Sequence, residues 1–430
     1  MTPTARLLAF AAAPHVLPGS VRADCERLVA DTLAVGAAGW TAPGMAGVLA
    51  VARGWGEGAE ARLLGEADAR LPAGAAAYAN CFAIHCLEWD AVHEGAVCHA
   101  LTAVVPAVLA VADRRGGAAL DDMLTAIAVG VDVASGLGIA ADSALSFFRP
   151  ATAGIYGAAL AAARIAGLPA AAFADVLGLA HAHAAGTMQA HSEGSIALPL
   201  QLANAARGAV HAVDLVRHGL TGPHDVLQGP FGHFSLFERG DLARYTGGLG
   251  QVWRISEIST KPFPSGRASH AALGALAEFA GREVAGVQLH VPPLIRHLVG
   301  RPALPDMTAA YARLCLPFLA ALMLTDGQID PRRFTAPVFA DAALQALAAR
   351  VELVDDGNAD PNALSPQRLI VTLADGTRIE RSVPATLGSP LMPLGAVEAR
   401  VKAALCRSLA PPGHDPRLFA APMAYLTDPT

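Results

Sequence analysis

The sequence predicts a mainly α-helical protein, in which a large all-helical domain formed by both chain ends carries an inserted, smaller α+β lid domain. Three observations lead there. Across residues 20–256, apolar side chains recur at three- and four-residue spacing, one segment after another. Near residue 257 the pattern changes, and short alternating runs appear among helical ones. After Pro390 the helical spacing returns. The expected limits are 1–257 for the first helical part, 258–386 for the lid and 387–430 for the closing helical part.

Residues 1–17 contain the apolar run LLAFAAA with no strongly basic leader, so they read as a first helix and not as a signal peptide. Helical spacing follows over 24–34, 119–134, 153–166 and 200–218, and two apolar helices are expected at 75–84 and 100–112. Gly116-Gly117, Gly167-Leu168-Pro169 and Gly222-Pro223 punctuate them. In the inserted part, 284–291 and 350–354 read as strands. Residues 368–383 read as a hairpin around Asp375-Gly376, a pair that tolerates positive φ. Residues 308–324 and 338–349 read as the helices between them, and 394–409 as the returning helix.

Of the 430 residues, 53% are hydrophobic and only 16% charged, which suits a large buried core. The net charge of −6 argues against a nucleic-acid partner. A mean hydropathy of +0.40 raises the question of a membrane. No run is expected to reach the roughly 20 apolar residues of a spanning helix, so none is predicted. The apolar excess is largely alanine and glycine, which suits close helix packing, and a chain this apolar is expected to form a homodimer. The six cysteines are scattered without a CxxC pair, which favours free thiols and a cytoplasmic setting.

Chemistry concentrates in HCLEWDAVHEGAVCH, residues 85–99. Metal binding is not expected there. His93 and His99 are spaced too widely for a usual helical zinc pair, and HExxH is absent because position 97 is valine. Acid–base work fits better: Glu88, Asp90, His93, Glu94 and His99 crowd between two apolar helices, where burial shifts pKa values. The plain alternative for any one histidine is a structural role in the core or at an interface. A second stretch is SEISTKPFPSGRASH, 256–270, where Pro262 favours a loop at Lys261. Lys261 and Lys402 are the only lysines in an arginine-rich chain. Lysine can give up a proton and arginine cannot, so Lys261 is a candidate for function. Lys402, late in a polar helix face, reads as a surface lysine.

Five stretches in order resemble the MmgE/PrpD family, which includes 2-methylcitrate dehydratase, cis-aconitate decarboxylase and iminodisuccinate epimerase. They are ANCFAIHCLEWDAVHEGAVCHALTAVVPAVLAVAD, FFRPATAGIYGAALAAARIAGL, ANAARGAVHAVDLVRHGLTGPHDVLQGPFGHF, KPFPSGRASH and RLCLPFLAALMLTDGQID. The resemblance implies a homodimer and a site between the two domains that takes a small di- or tricarboxylate without metal or cofactor. The implied step is removal of a proton next to a carboxylate. Lys261 and His99 match motif positions, Asp90 matches an aspartate, and Glu88 stands for another. Val92 replaces a threonine, Ala91 an aspartate, Arg149 a histidine and Leu198 a second lysine. The catalytic set expected is therefore His99, Lys261, Glu88 and Asp90. Substrate binding is expected from Arg149, as a bidentate carboxylate clamp, with His93, Arg267 and His270. Lys261 is expected to come over the substrate on domain closure. The implied activity is that of a lyase, with an isomerase or a non-catalytic carboxylate-binding protein as the alternatives.

Overall fold

The computed structural model describes residues 1–360 and 363–430. Helices dominate it, and the strands are few and short. The first core is built from helices Gly19–Gly39, Ala73–His85, Ala100–Arg114, Leu120–Ala140, Gly154–Ala166 and Ala197–Arg217. Small residues let them approach closely. Gly130 and Gly157 face each other, and a Cβ on Gly157 would lie 2.1 Å from the Gly130 carbonyl oxygen. The alanine and glycine excess is therefore a packing device, since helices come nearest where side chains are shortest.

Leu120–Ala140 corrects the expectation that no segment is long and apolar enough to span a membrane. It has 21 residues and a mean hydropathy of 1.8, but 94% of that apolar window is buried inside the fold. It is the central core helix.

The strands are numbered in chain order. β1 (Ala61–Leu63) and β2 (Glu66–Leu71) form a hairpin, and β3 (Val92–His93) pairs with β4 (Ile258–Ser259). These interrupt the run of helices expected over 20–256. β1, β3 and β4 are too short to show an alternating pattern, β1 is buried at all three positions, and the six residues of β2 do not alternate in burial.

A second core lies in the inserted part. Its sheet has the order β6 (Val351–Asp355), β5 (Val284–Val291), β7 (Gln367–Leu373), β8 (Arg378–Val383). β5 runs parallel to β6 and antiparallel to β7. Leu369, Val371 and Leu373 alternate inward on β7 and share this core with helix Leu316–Asp326. The hairpin turns at Gly376, with φ +86°, as Asp375-Gly376 predicts. The helix expected over 308–324 breaks at Cys315, whose extended backbone precedes Pro317 at the start of Leu316–Asp326. The one expected over 338–349 is two pieces, the second capped by Asp341.

The chain then returns to the first core. Helix Ala396–Leu409 packs on Gly19–Gly39, and Cys406, Leu418 and Tyr425 are buried there. Buried Arg62, ion-paired with Asp113 at 2.6 Å, holds the carbonyls of Tyr425 and Asp428.

Candidate active site

The segment from Cys86 to His99 connects two buried helices and folds back on itself at the paired residues His93 and Cys98. Two of its residues have left-handed backbones, Glu88 with φ +53° and Val97 with φ +47°. For a β-branched residue such as Val97 this is unfavourable, by roughly 1–3 kcal/mol. Both residues line the same small cavity, with His99, Glu94, Arg149, His191, Leu198 and Arg267 among the other walls.

Asp90 organises the polar cluster behind that cavity. Its Oδ2 accepts from His85 Nδ1 and His99 Nδ1, both at 2.9 Å, and from the Thr102 hydroxyl. Its Oδ1 lies 3.8 Å from the Lys261 ammonium. Asp90 is 1% exposed and does not line the cavity, so it acts through the groups it holds. With Nδ1 committed to Asp90, His99 has only Nε2 left for a ligand, and Nε2 makes no hydrogen bond within the described residues. Burial pulls His99 below its ordinary value; Asp90 opposes this and Lys261 reinforces it. His99 is thus a neutral imidazole with a lone pair available.

His85 has the opposite character. Burial pulls it down, but Asp90 and Glu88 together push it up to about 10, so it is an imidazolium at neutral pH. Burial alone would raise the Glu88 carboxyl, but His85 and Lys261 hold it well below the usual carboxylate range. Asp90 is lowered for the same reasons, with burial outweighed by His85, His99 and Lys261.

The predicted site residues divide. His99, Glu88, Arg149 and Arg267 line the cavity; Asp90, Lys261, His93 and His270 do not. Lys261 is fully buried, and its Nζ donates to the Glu88 carbonyl at 3.0 Å and to Glu88 Oε2 at 3.2 Å. It sits beneath the cavity wall as a counter-ion to Glu88. His93 is occupied by Glu257 at 2.8 Å and by the Ala96 amide. His270 bonds Ser265 and packs edge-on against Phe263.

Arg149 is fully buried, its Nε 2.5 Å from Glu238 and its Nη1 on the Ala96 carbonyl. Nη2 is buried and has no partner among the described residues, and with Nε and Nη1 committed the fork is not free for the bidentate clamp expected of it. Arg267 is bound to Glu94, 2.8 Å away, and to the Leu387 carbonyl.

Other residues escaped the sequence reading. His191 lines the cavity, and burial together with Arg301 lowers it to about 4. It closes the stretch HAHAAGTMQAH, where its polar neighbours gave it no distinction. Lys402 is 4% exposed, not a surface lysine. It pairs with Asp31 at 2.6 Å and donates to the Trp89 carbonyl, between Glu88 and Asp90.

His85, Asp90 and His99 also bring three ligand-type atoms within 4.8 Å of one another. Both imidazoles already meet one carboxylate oxygen at 2.9 Å, the length of a direct hydrogen bond.

Comparison with known proteins finds two family matches that together cover most of the chain. The family model for the MmgE/PrpD N-terminal domain matches residues 8–246, and that for the MmgE/PrpD C-terminal domain matches residues 263–413. No curated protein matches the chain.

Proposed function

The chain belongs to the MmgE/PrpD family, and on that premise we propose that it is a lyase acting on a small di- or tricarboxylic acid. The observation that carries this is the neutral, Asp90-backed His99 facing a mostly apolar cavity. His99 Nε2 takes the proton from the carbon next to a carboxylate. The electron pair left behind moves onto that carboxylate, and the free Nη2 of Arg149 steadies the added charge. Hydroxide then departs from the neighbouring carbon and takes the proton held on the His99 imidazolium to become water, while the electron pair returns from the carboxylate to form the new double bond. Asp90 keeps His99 in the correct tautomer and stabilises the imidazolium that forms. Residues 258–386 act as the lid, and β3–β4 ties that lid to the catalytic segment.

An epimerase is the second reading. Glu88 and His99 both line the cavity, so one could remove a proton and the other return one. The strongly ionised state of Glu88 makes it the weaker proton carrier, which favours the lyase.

Proton NMR in D2O over a panel of small dicarboxylic and tricarboxylic acids, with and without EDTA, tests both. A lyase yields an alkene or a shortened skeleton. An epimerase exchanges deuterium and inverts a centre. An acid that raises the melting temperature with no exchange at all would leave a binding protein. Activity lost to EDTA and restored by a divalent metal would put an ion at His85, Asp90 and His99.

A further inference from the structure

Six side chains on the cavity wall can ionise or hydrogen-bond: Glu88, Glu94, His99, Arg149, His191 and Arg267. Five are already engaged. Glu88 faces Lys261, and Glu94 faces Arg267. Asp90 holds His99. Arg149 gives Nε to Glu238 and Nη1 to the Ala96 carbonyl. All three nitrogens of Arg267 are taken, by Glu94 and by the carbonyls of Thr386 and Leu387. His191 differs. Neither of its ring nitrogens meets a partner among the described residues, and neither is sealed in the interior.

The fold fixes the backbone of this residue and leaves its ring to the cavity. His191 lies in the short helix Gln189–Glu193, which Gly194 ends in a left-handed conformation, with φ +64°. Two residues of the inserted part grip that turn. Arg301 Nη2 donates to the His191 carbonyl at 2.7 Å, and the Thr308 hydroxyl donates to the Gly194 carbonyl at 3.1 Å. Burial, reinforced by Arg301, keeps the ring an uncharged imidazole at neutral pH. A neutral imidazole still carries one N–H, and with no partner to fix the tautomer either nitrogen can present it.

We propose that His191 is a further catalytic residue, whose N–H donates to the carboxylate oxygen that gains charge when His99 takes the proton from the adjacent carbon. This rests on the proton-abstraction reading of His99. The electron pair of the broken carbon–hydrogen bond moves into the bond to the carboxyl carbon, and a carbon–oxygen pair moves onto oxygen. The proton goes to His99 Nε2, while the His191 proton stays on its nitrogen. The carboxylate gains a second unit of negative charge in this step, so the same donor is worth more after it than before it. An uncharged donor also suits the wall. Another arginine there would need a buried counter-ion, as Arg149 has Glu238 and Arg267 has Glu94, and an imidazole needs none.

Calorimetric titration of the full chain with succinate and with the preformed nitronate of 3-nitropropionate tests this. The two probes are alike in length, but the nitronate bears on its nitro oxygens the charge that proton removal places on a carboxylate. Wild type should bind the nitronate about 10²-fold more tightly than succinate. His191→Phe should lower that preference by about tenfold or more and change succinate affinity much less, whereas a residue that only shaped the wall would weaken both alike. His191→Gln keeps an N–H and should retain part of the preference. If His191→Phe does not fold, nitrogen-15 NMR of the wild type decides, because the nitronate should bring the His191 ring to a single tautomer. Deuterium exchange next to the nitro group of 3-nitropropionate reports His99 separately, and His99→Asn should lose it while still binding the nitronate. Absent exchange in the wild type would defeat the His99 reading and the proposal with it. Exchange accompanied by an unchanged preference in His191→Phe would defeat the proposal alone. Equal affinity of wild type for the two probes would also overturn it, as would binding of neither, or His191 resonances that do not respond to the nitronate.

Discussion

His99 Nδ1 and Asp90 Oδ2 are 2.9 Å apart, and that contact decides which nitrogen of His99 faces the cavity. In Asp90→Asn the neutral amide no longer fixes the tautomer or stabilises an imidazolium. Deuterium exchange catalysed by the variant should fall by about 10²–10⁴-fold, the usual range for a positioned acid–base group. Circular dichroism should report an intact helical fold at 25 °C. A variant exchanging at the wild-type rate would remove His99 from the mechanism.

A lysine in a loop, the setting that Pro262 favours for Lys261, rarely carries much stability. Its complete burial beside Glu88 and Asp90 changes that. Lys261→Ala leaves two buried carboxylates short of a cation and should cost about 3–5 kcal/mol in urea unfolding. Exchange activity should fall by roughly 10²-fold or more, because Glu88 and His99 lose the charge that sets their ionisation. Lys261→Arg should recover part of the stability. Unchanged unfolding in the alanine variant would contradict the buried ion cluster.

The two histidines on Asp90 give opposite pH dependences. His85, raised to about 10, adds stability that is complete below its unfolded value of about 6.5 and is lost as pH climbs through about 10. His99 and His191 are lowered, the latter to about 4. Their contribution is present above about pH 6.5 and is lost as pH falls toward 4. Melting temperatures should decline on both sides of neutrality. In His85→Gln the alkaline decline from this residue should vanish. The acid limb of kcat/KM, reporting His99, should lie below pH 6.5. An alkaline decline identical in His85→Gln and wild type would show that His85 is not an imidazolium.

The surface retains apolar side chains near the chain's end, with Leu391 87% exposed and Val397 and Val401 each 61%. Such a patch suits burial against a second copy. Light scattering at micromolar concentration should give twice the 43.9 kDa chain mass. A mass of one chain would exclude the dimer at that concentration.

The helical character was legible because alanine-rich periodicity is continuous, and the hairpin at 375–376 because turn chemistry is local. The 85–99 segment was legible as a polar cluster between two apolar helices. Its internal roles were not. His93 is taken by Glu257, which is 164 residues away in sequence, and no spacing rule reveals that. His270 was carried by its motif and turns out to bond its own loop. Lys402 sits on a helix where only it and Cys406 are buried, so the polar face concealed it.

The clamp of Lys402 on the Trp89 carbonyl spans 313 residues of chain. During synthesis, the segment carrying Glu88 and Asp90 leaves the ribosome long before the helix that fastens it. A nascent chain released before residue 396 would contain the whole 85–99 sequence and every acid–base group in it. It would still lack the ammonium between Glu88 and Asp90's backbone, and Asp31 would be left without its cation. The site should therefore reach its working geometry only at the last stage of production, and a prematurely stopped chain should be inactive although no proton-transfer residue is missing from it.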